Sequence, residues 1–232
     1  MSVPRVPGFG VVGTDTGAGK TTLSRGFLAL ARQKGYRPAA FKPVESGVGP
    51  HGPSDAQLLQ EAASSSLPAS LYALPLPIAP ARAARHAGVS LDFRRMEERA
   101  RELAIDSDGI VLESAGGLLS PWQGGRGVAE LLGLLDLPSV VVAADVLGAQ
   151  NHARLTLEAL ETRRLSVLGV VLVARSADDA ACENPETFQE LFGSTYLGRL
   201  PHIPRLTADA IAESVAQHLD CRPLFAALRQ PK

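Results

Sequence analysis

Six short aliphatic runs, at residues 9–12, 39–41, 110–112, 140–144, 167–173 and 196–200, constrain what this chain can fold into more than any other feature. They do not alternate apolar with polar, as a half-exposed strand would, and so read as strands buried on both faces. Helical patterns lie between them at 21–33, closed by Gly35; 56–62; 93–104, with Asp92 as a plausible N-cap; 128–135; 151–162; and 208–218, after Thr207. This alternation predicts an α/β fold: a mostly parallel sheet with right-handed crossovers and helices on both faces, three layers in all. In such a fold the binding residues collect at the carboxyl ends of the strands. The proline-rich stretch 67–80 reads as a surface excursion leading into a short helix near 81–86. No repeat or linker divides the 232 residues, so one domain over 1–232 is expected.

The balance of charge narrows the partners. With 23 basic and 24 acidic residues the formal net charge is −1, which offers no broad field for nucleic acid. No apolar stretch approaches the roughly 18 residues of a membrane span. Residues 1–7 lack the apolar centre of a signal peptide, so a cytoplasmic location is expected. Cys182 and Cys221 have no metal-like spacing and no neighbouring base, and each reads as an isolated thiol.

The segment GTDTGAGKT, 13–21, follows the first strand and opens the first helix. Glycines there let backbone N–H groups turn inward around phosphate oxygens, a lysine reaches the terminal phosphates, and a hydroxyl meets Mg²⁺. Gly17, Gly19, Lys20 and Thr21 supply all of these, which makes the expected architecture P-loop NTPase-like. Five residues rather than four separate Gly13 from Gly19, so the GAGKT end carries the motif. A glycine-rich helix start that meets no nucleotide is the alternative, and the strand, loop and helix signals in register argue against it.

Further polar residues punctuate the strand ends. Lys42 follows the second strand and precedes Pro43, which favours an extended backbone and puts its ammonium where the phosphates should lie. Ser46 and Gly47 begin a loop that ends at Ser54 and Asp55. Glu113 ends the third strand before a flexible Ala115, Gly116, Gly117 turn, and a buried strand rarely ends in an acid for packing reasons. Thr21, Asp55 and Glu113 together offer three oxygen ligands for Mg²⁺. Asp145, after the fourth strand, is a rival ligand ranked below Glu113.

Taken in order, GTDTGAGKT, FKPVESG, SDA, LESAGG and LGAQNHARLT resemble the dethiobiotin synthetase family of the biotin pathway over most of the chain. The resemblance implies carboxylation of 7,8-diaminopelargonate with CO₂ and ring closure, driven by ATP and Mg²⁺ through a carbamate and a carbamic-phosphoric anhydride. By motif match, Lys42 and Lys20 would be catalytic, and Thr16 and Ser46 would contact the diamine. Gly17, Ala18, Gly19, Lys20, Thr21, Thr22, Asp55, Glu113, Ser114, Ala115, Gly116, Arg175 and Pro201 would meet the nucleotide. Thr21, Asp55 and Glu113 would hold the metal. Gly148, Ala149 and Asn151 would receive the substrate's carboxylate tail across the interface of a homodimer.

Four positions depart from the family pattern: Gly17 for a glutamate, Ser114 for a glycine, Ala81 for a histidine, and Arg175 for an asparagine that reads the adenine edge. A guanidinium offers donors only, so use of other triphosphates such as CTP is expected. Two rivals share the architecture. An amide ligase of the cobyrinate kind normally carries a glutaminase domain for which this chain has no room. A partitioning or positioning ATPase carries a signature lysine where this chain has Asp15. A nucleotide-binding homologue without activity is a third possibility, against which Lys20, Lys42, Asp55 and Glu113 all argue.

Overall fold

The computed structural model describes residues 5–50, 52–176 and 184–231; Cys182 lies outside them. Seven parallel strands form one sheet in the order β3-β2-β4-β1-β5-β6-β7. They are β1 Gly8–Gly13, β2 Pro38–Ser46, β3 Ser70–Leu74, β4 Gly109–Gly117, β5 Ser139–Ala144, β6 Val167–Val173 and β7 Tyr196–Leu200. The helices are α1 Lys20–Gln33, α2 Asp55–Ala63, α3 Pro80–His86, α4 Phe93–Ile105, α5 Val128–Leu135, α6 Ala149–Thr162, α7 Asn184–Phe192, α8 Ala208–His218 and α9 Arg222–Ala226.

Two hydrophobic clusters fill the space on either side of the sheet, giving the three layers. Met96 and Leu103 of α4, Leu131 and Leu132 of α5, Leu160 of α6 and Phe188 of α7 pack on one face. Leu23 and Phe27 of α1, Leu59 of α2, Ile211 and Val215 of α8 and Leu224 of α9 pack on the other. Phe27 is fully buried, with its ring centroid 5.0 Å from those of Phe9 and Phe225, and truncating such a side chain costs about 3–5 kcal/mol. Cys221 packs against this second face as well, and burial pushes its thiol up to about 11, so it behaves as a small apolar residue rather than a nucleophile.

The structure departs from the sequence reading at the helices α7 and α9, for which no helical pattern was read, and at three strands. The stretch 67–80 contains a regular element, β3, which forms the sheet edge against β2. It was hidden because an edge strand only partly buries its residues and because prolines flank it. Pairing with β3 also carries β2 beyond 41, so Lys42 lies inside a strand rather than after one. Likewise β4 runs past Glu113 to Gly117, across an irregularity in its register with β1 between Val11 and Gly13. These extensions hold polar side chains rigidly in the sheet, as a loop would not.

Candidate active site

The loop after β1 shows why its glycines are needed. Gly19 takes φ 97° as the residue before α1, and a Cβ there would fall 2.5 Å from Val173 Cγ1. A Cβ on Gly13 would fall 2.7 Å from Lys20 Nζ, because that side chain folds back along the loop to donate to the Asp15 carbonyl at 3.0 Å. The first turn of α1 holds no acid and its start has no side-chain cap, which leaves backbone N–H groups and the positive end of the helix dipole facing the loop.

Beside the loop sits a buried charge network. Lys42, 4% exposed, donates from Nζ to Glu113 Oε1 at 2.6 Å and to Asp55 Oδ2 at 2.7 Å. Glu113 is fully buried, and its Oε1 also accepts the Thr21 hydroxyl at 2.9 Å. Glu113 Oε2 has no partner. Burial pulls the Lys42 amine down, but Glu113 and then Asp55 more than offset this and hold it charged above the ordinary lysine value. For Asp55 burial acts upward, and Lys42, with the Thr21 hydroxyl and Lys20, outweighs it to hold the carboxyl below its usual value. Lys20 differs: burial, reinforced by Lys42, lowers it despite Glu113. Asp55 is placed by the start of α2, where Ser54 accepts from Gln57 N and Gln57 Oε1 accepts from Ser54 N, a reciprocal cap.

These residues open onto one cavity of about 770 Å³. Thr16, Gly17, Gly19, Lys20, Thr21, Thr22, Lys42, Ser46 and Asp55 line it, together with Ser114, Ala115, Gly116, Arg175 and Pro201. Ala18 is buried within the loop and Glu113 lies beneath the cavity floor. The 114–117 turn is pinned by the buried Trp122, whose Nε1 donates to the Ala115 carbonyl at 3.4 Å. Arg175 reaches over the loop, with Nη1 3.9 Å from where a Gly17 Cβ would stand.

Gly148, Ala149 and Asn151 do not join this cavity. They form the start of α6, where Gly148 takes φ 89° with no side-chain cap, beside Leu147 at 96% exposure. Asp145 is drawn elsewhere too: its Oδ1 accepts Asn184 Nδ2 at 2.8 Å and its Oδ2 accepts Arg199 Nε, so both oxygens are spent on packing. The sequence reading passed over Glu45, a buried acid in β2 that lines the cavity and whose carboxyl burial pushes above its usual value. No sequence signal marked it, since the aliphatic run ends at Phe41 and only pairing with β3 brings Glu45 inside a strand. Also unforeseen were the lips of the cavity, apolar Pro77 to Pro80 on one side and Ile203 and Leu206 beside His202 on the other.

Chemically, the arrangement joins a phosphate-binding loop to two lysines, with buried carboxylates beneath them. Among the described residues no three His, Cys, Asp or Glu side chains gather as a metal cluster. A hydroxyl and two carboxylates completed by waters and phosphates is instead the donor set that suits a hard cation.

A family model described as an AAA domain matches residues 8–210. Among solved structures, septum site-determining protein MinD of Pyrococcus horikoshii aligns with a TM-score of 0.54 at 18% identity, covering 89% of this chain and 85% of that one. At that identity it shows the fold alone. Among curated proteins, the ATP-dependent dethiobiotin synthetase of Anaeromyxobacter sp. (strain K) is 40% identical over 208 residues, covering 88% of this chain and 93% of the relative. That of Pseudomonas aeruginosa PAO1 is 41% identical over 229 residues, covering 94% and 98%. With a P-loop, the two lysines and this extent of shared sequence, the chain belongs to the dethiobiotin synthetase family.

Proposed function

We propose that this chain, acting as one domain over 1–232, uses ATP to carboxylate 7,8-diaminopelargonate and close the ring of dethiobiotin, releasing ADP and inorganic phosphate. The observation that carries the reading is Lys42: a lysine held charged by Asp55 and Glu113 at the edge of the phosphate loop. One amine of the substrate attacks CO₂ to give a carbamate. A carbamate oxygen then takes the γ-phosphoryl group from ATP, and the second amine attacks the carbonyl carbon and expels phosphate. Such a path needs charge cancellation and alignment rather than a protein nucleophile. Lys20 and the loop N–H groups hold the β- and γ-phosphates, and Lys42 steadies the carbamate and the transferring group. Thr16 and Ser46 orient the diamine.

The unpartnered Oε2 of Glu113, next to Thr21 and joined through Lys42 to Asp55, fits a divalent cation. Mg²⁺ would be held by Thr21, Asp55 and Glu113, and when bound it neutralises charge on the phosphates. The uncapped start of α6 favours a carboxylate, so Gly148, Ala149 and Asn151 take the substrate's tail. Because these residues lie off the cavity, they serve the partner's site in a homodimer, with the exposed Leu147 at its seam.

Arg175 and Pro201 face the base. With donors only on the guanidinium, ATP is not strongly preferred over CTP. The enzyme works in the cytoplasm. The test is phosphate release with ATP, Mg²⁺, bicarbonate and diamine, beside a control lacking the diamine, with dethiobiotin detected by mass. Diamine-dependent release with product is expected, and release without the diamine overturns the reading. Repeating the assay with CTP settles base choice, a strong preference for ATP removing Arg175 from that role.

A further inference from the structure

The cavity wall carries a charged group that the chemistry above does not use. Glu45 is 5% exposed, in β2 between Lys42 and Ser46. Its Oε1 accepts one long hydrogen bond, 3.4 Å, from the Ala56 backbone N–H, and its Oε2 is buried with no partner. A carboxylate withdrawn from water needs a cation or several donors. The charge of Lys42 offsets only part of that burial and makes no direct contact, since Lys42 Nζ is committed to Asp55 and Glu113, and Lys20 Nζ to the Asp15 carbonyl. Glu45 serves the start of α2 only through that long bond to Ala56 N–H, since Ser54 and Gln57 cap each other there reciprocally, and its Oε2 takes no part. Glu45, Asp55 and Glu113 thus set three carboxylates against Lys20 and Lys42, and Glu45 is the one with no direct cationic partner.

A ligand bearing ammonium groups completes this wall. Resting on the diamine reading above, we propose that Glu45 is a substrate-recognition residue that binds one of the two amino groups of the diamine on its unpartnered Oε2, beside Ser46. The contact is a charge-assisted hydrogen bond, and it places the nitrogen within the reach of the charge that Lys42 supplies. It also selects for a diamine over an amino acid of similar length that lacks the second nitrogen.

The test is steady-state kinetics of Glu45→Gln. Glutamine keeps the size and an acceptor for Ala56 N–H but removes the charge. The expected result is a rise of about ten- to a hundredfold in KM for the diamine, with KM for ATP within about twofold and melting temperature nearly unchanged. Glu45→Asp, which keeps the charge on a shorter stem, recovers part of the loss. A diamine KM within about twofold of wild type overturns the proposal, and so does an equal rise in both KM values with lowered melting, which marks a structural role. Wild-type protein that makes no dethiobiotin defeats the parent reading and this one with it, whereas active wild type with an unaltered E45Q defeats this inference alone.

Discussion

Two acids flank β1 at the carboxyl edge of the sheet, Glu113 in β4 and Asp145 just beyond β5, and both are fully buried. They differ in what their oxygens do. Asp145 spends both, on Asn184 and Arg199, and Asn184 passes the network to α6 by accepting Gln150 Nε2 at 2.6 Å. Glu113 spends one oxygen on Lys42 and Thr21 and leaves the other unpartnered beneath the cavity. The first pattern locks α6, α7 and β7 together; the second holds a lysine and keeps capacity for a ligand. Burial of an acid is therefore not the mark of a reactive site; unspent hydrogen-bonding capacity beside a cavity is.

The largest effect expected from this contrast is that of Lys42→Ala. Turnover should fall by about a hundredfold or more, since charge stabilisation at the phosphoryl group is lost. From sequence alone the fold should survive intact, as no core cavity opens. The pairing with Glu113 adds a stability loss on the order of 3–5 kcal/mol in ligand-free protein, because a buried carboxylate loses its counter-charge. Rate assays and urea unfolding measure the two parts, and near-normal activity would remove Lys42 from the mechanism.

Next, Glu113→Gln should raise the Mg²⁺ concentration for half-maximal activity at least about tenfold. Asp145→Asn should leave that requirement within about twofold while lowering unfolding free energy by roughly 1–3 kcal/mol, the penalty for disturbing a satisfied buried pair. Mg²⁺ titration of both variants puts the comparison at risk: an equal shift in the two would erase it.

The smallest effect is a pH slope. Burial holds the native Glu45 carboxyl above its ordinary value, so between the unfolded and native values the native state binds the extra proton. Its stabilising share is then complete below the ordinary value, about pH 4, and is lost as pH rises through the raised native one. Glu45→Gln removes that loss, so its stability relative to wild type should grow with pH until a plateau. Melting curves of ligand-free protein from pH 4 to 8 check this, and parallel curves would contradict it.

Much of this was legible beforehand. Helix ends came within a residue or two wherever a cap was written in the sequence, as at Asp92 and Thr207. The buried strands were legible because a run of aliphatics has no other stable place. What escaped was of another kind. β3 carries a weak pattern because an edge strand is packed on one side only. Glu45 escaped because a glutamate one place before Ser46 looks like a solvated strand end unless β3 is known to cover it. Asp145 drew suspicion as a metal ligand because its partners, Arg199 and Asn184, lie 54 and 39 residues away.

The sequence by itself determined most of the order of elements, the phosphate loop and the family, since local periodicity and short motifs are written in contiguous residues. Only the tertiary structure decided how the charges are spent: that Lys42 is shared between Asp55 and Glu113, that Asp145 is neutralised by Arg199, and that Glu45 is left with an unpartnered oxygen. The reason is physical. The energy of a buried charge depends on the few ångströms around it, and those neighbours come from distant parts of the chain that only the closed sheet brings together.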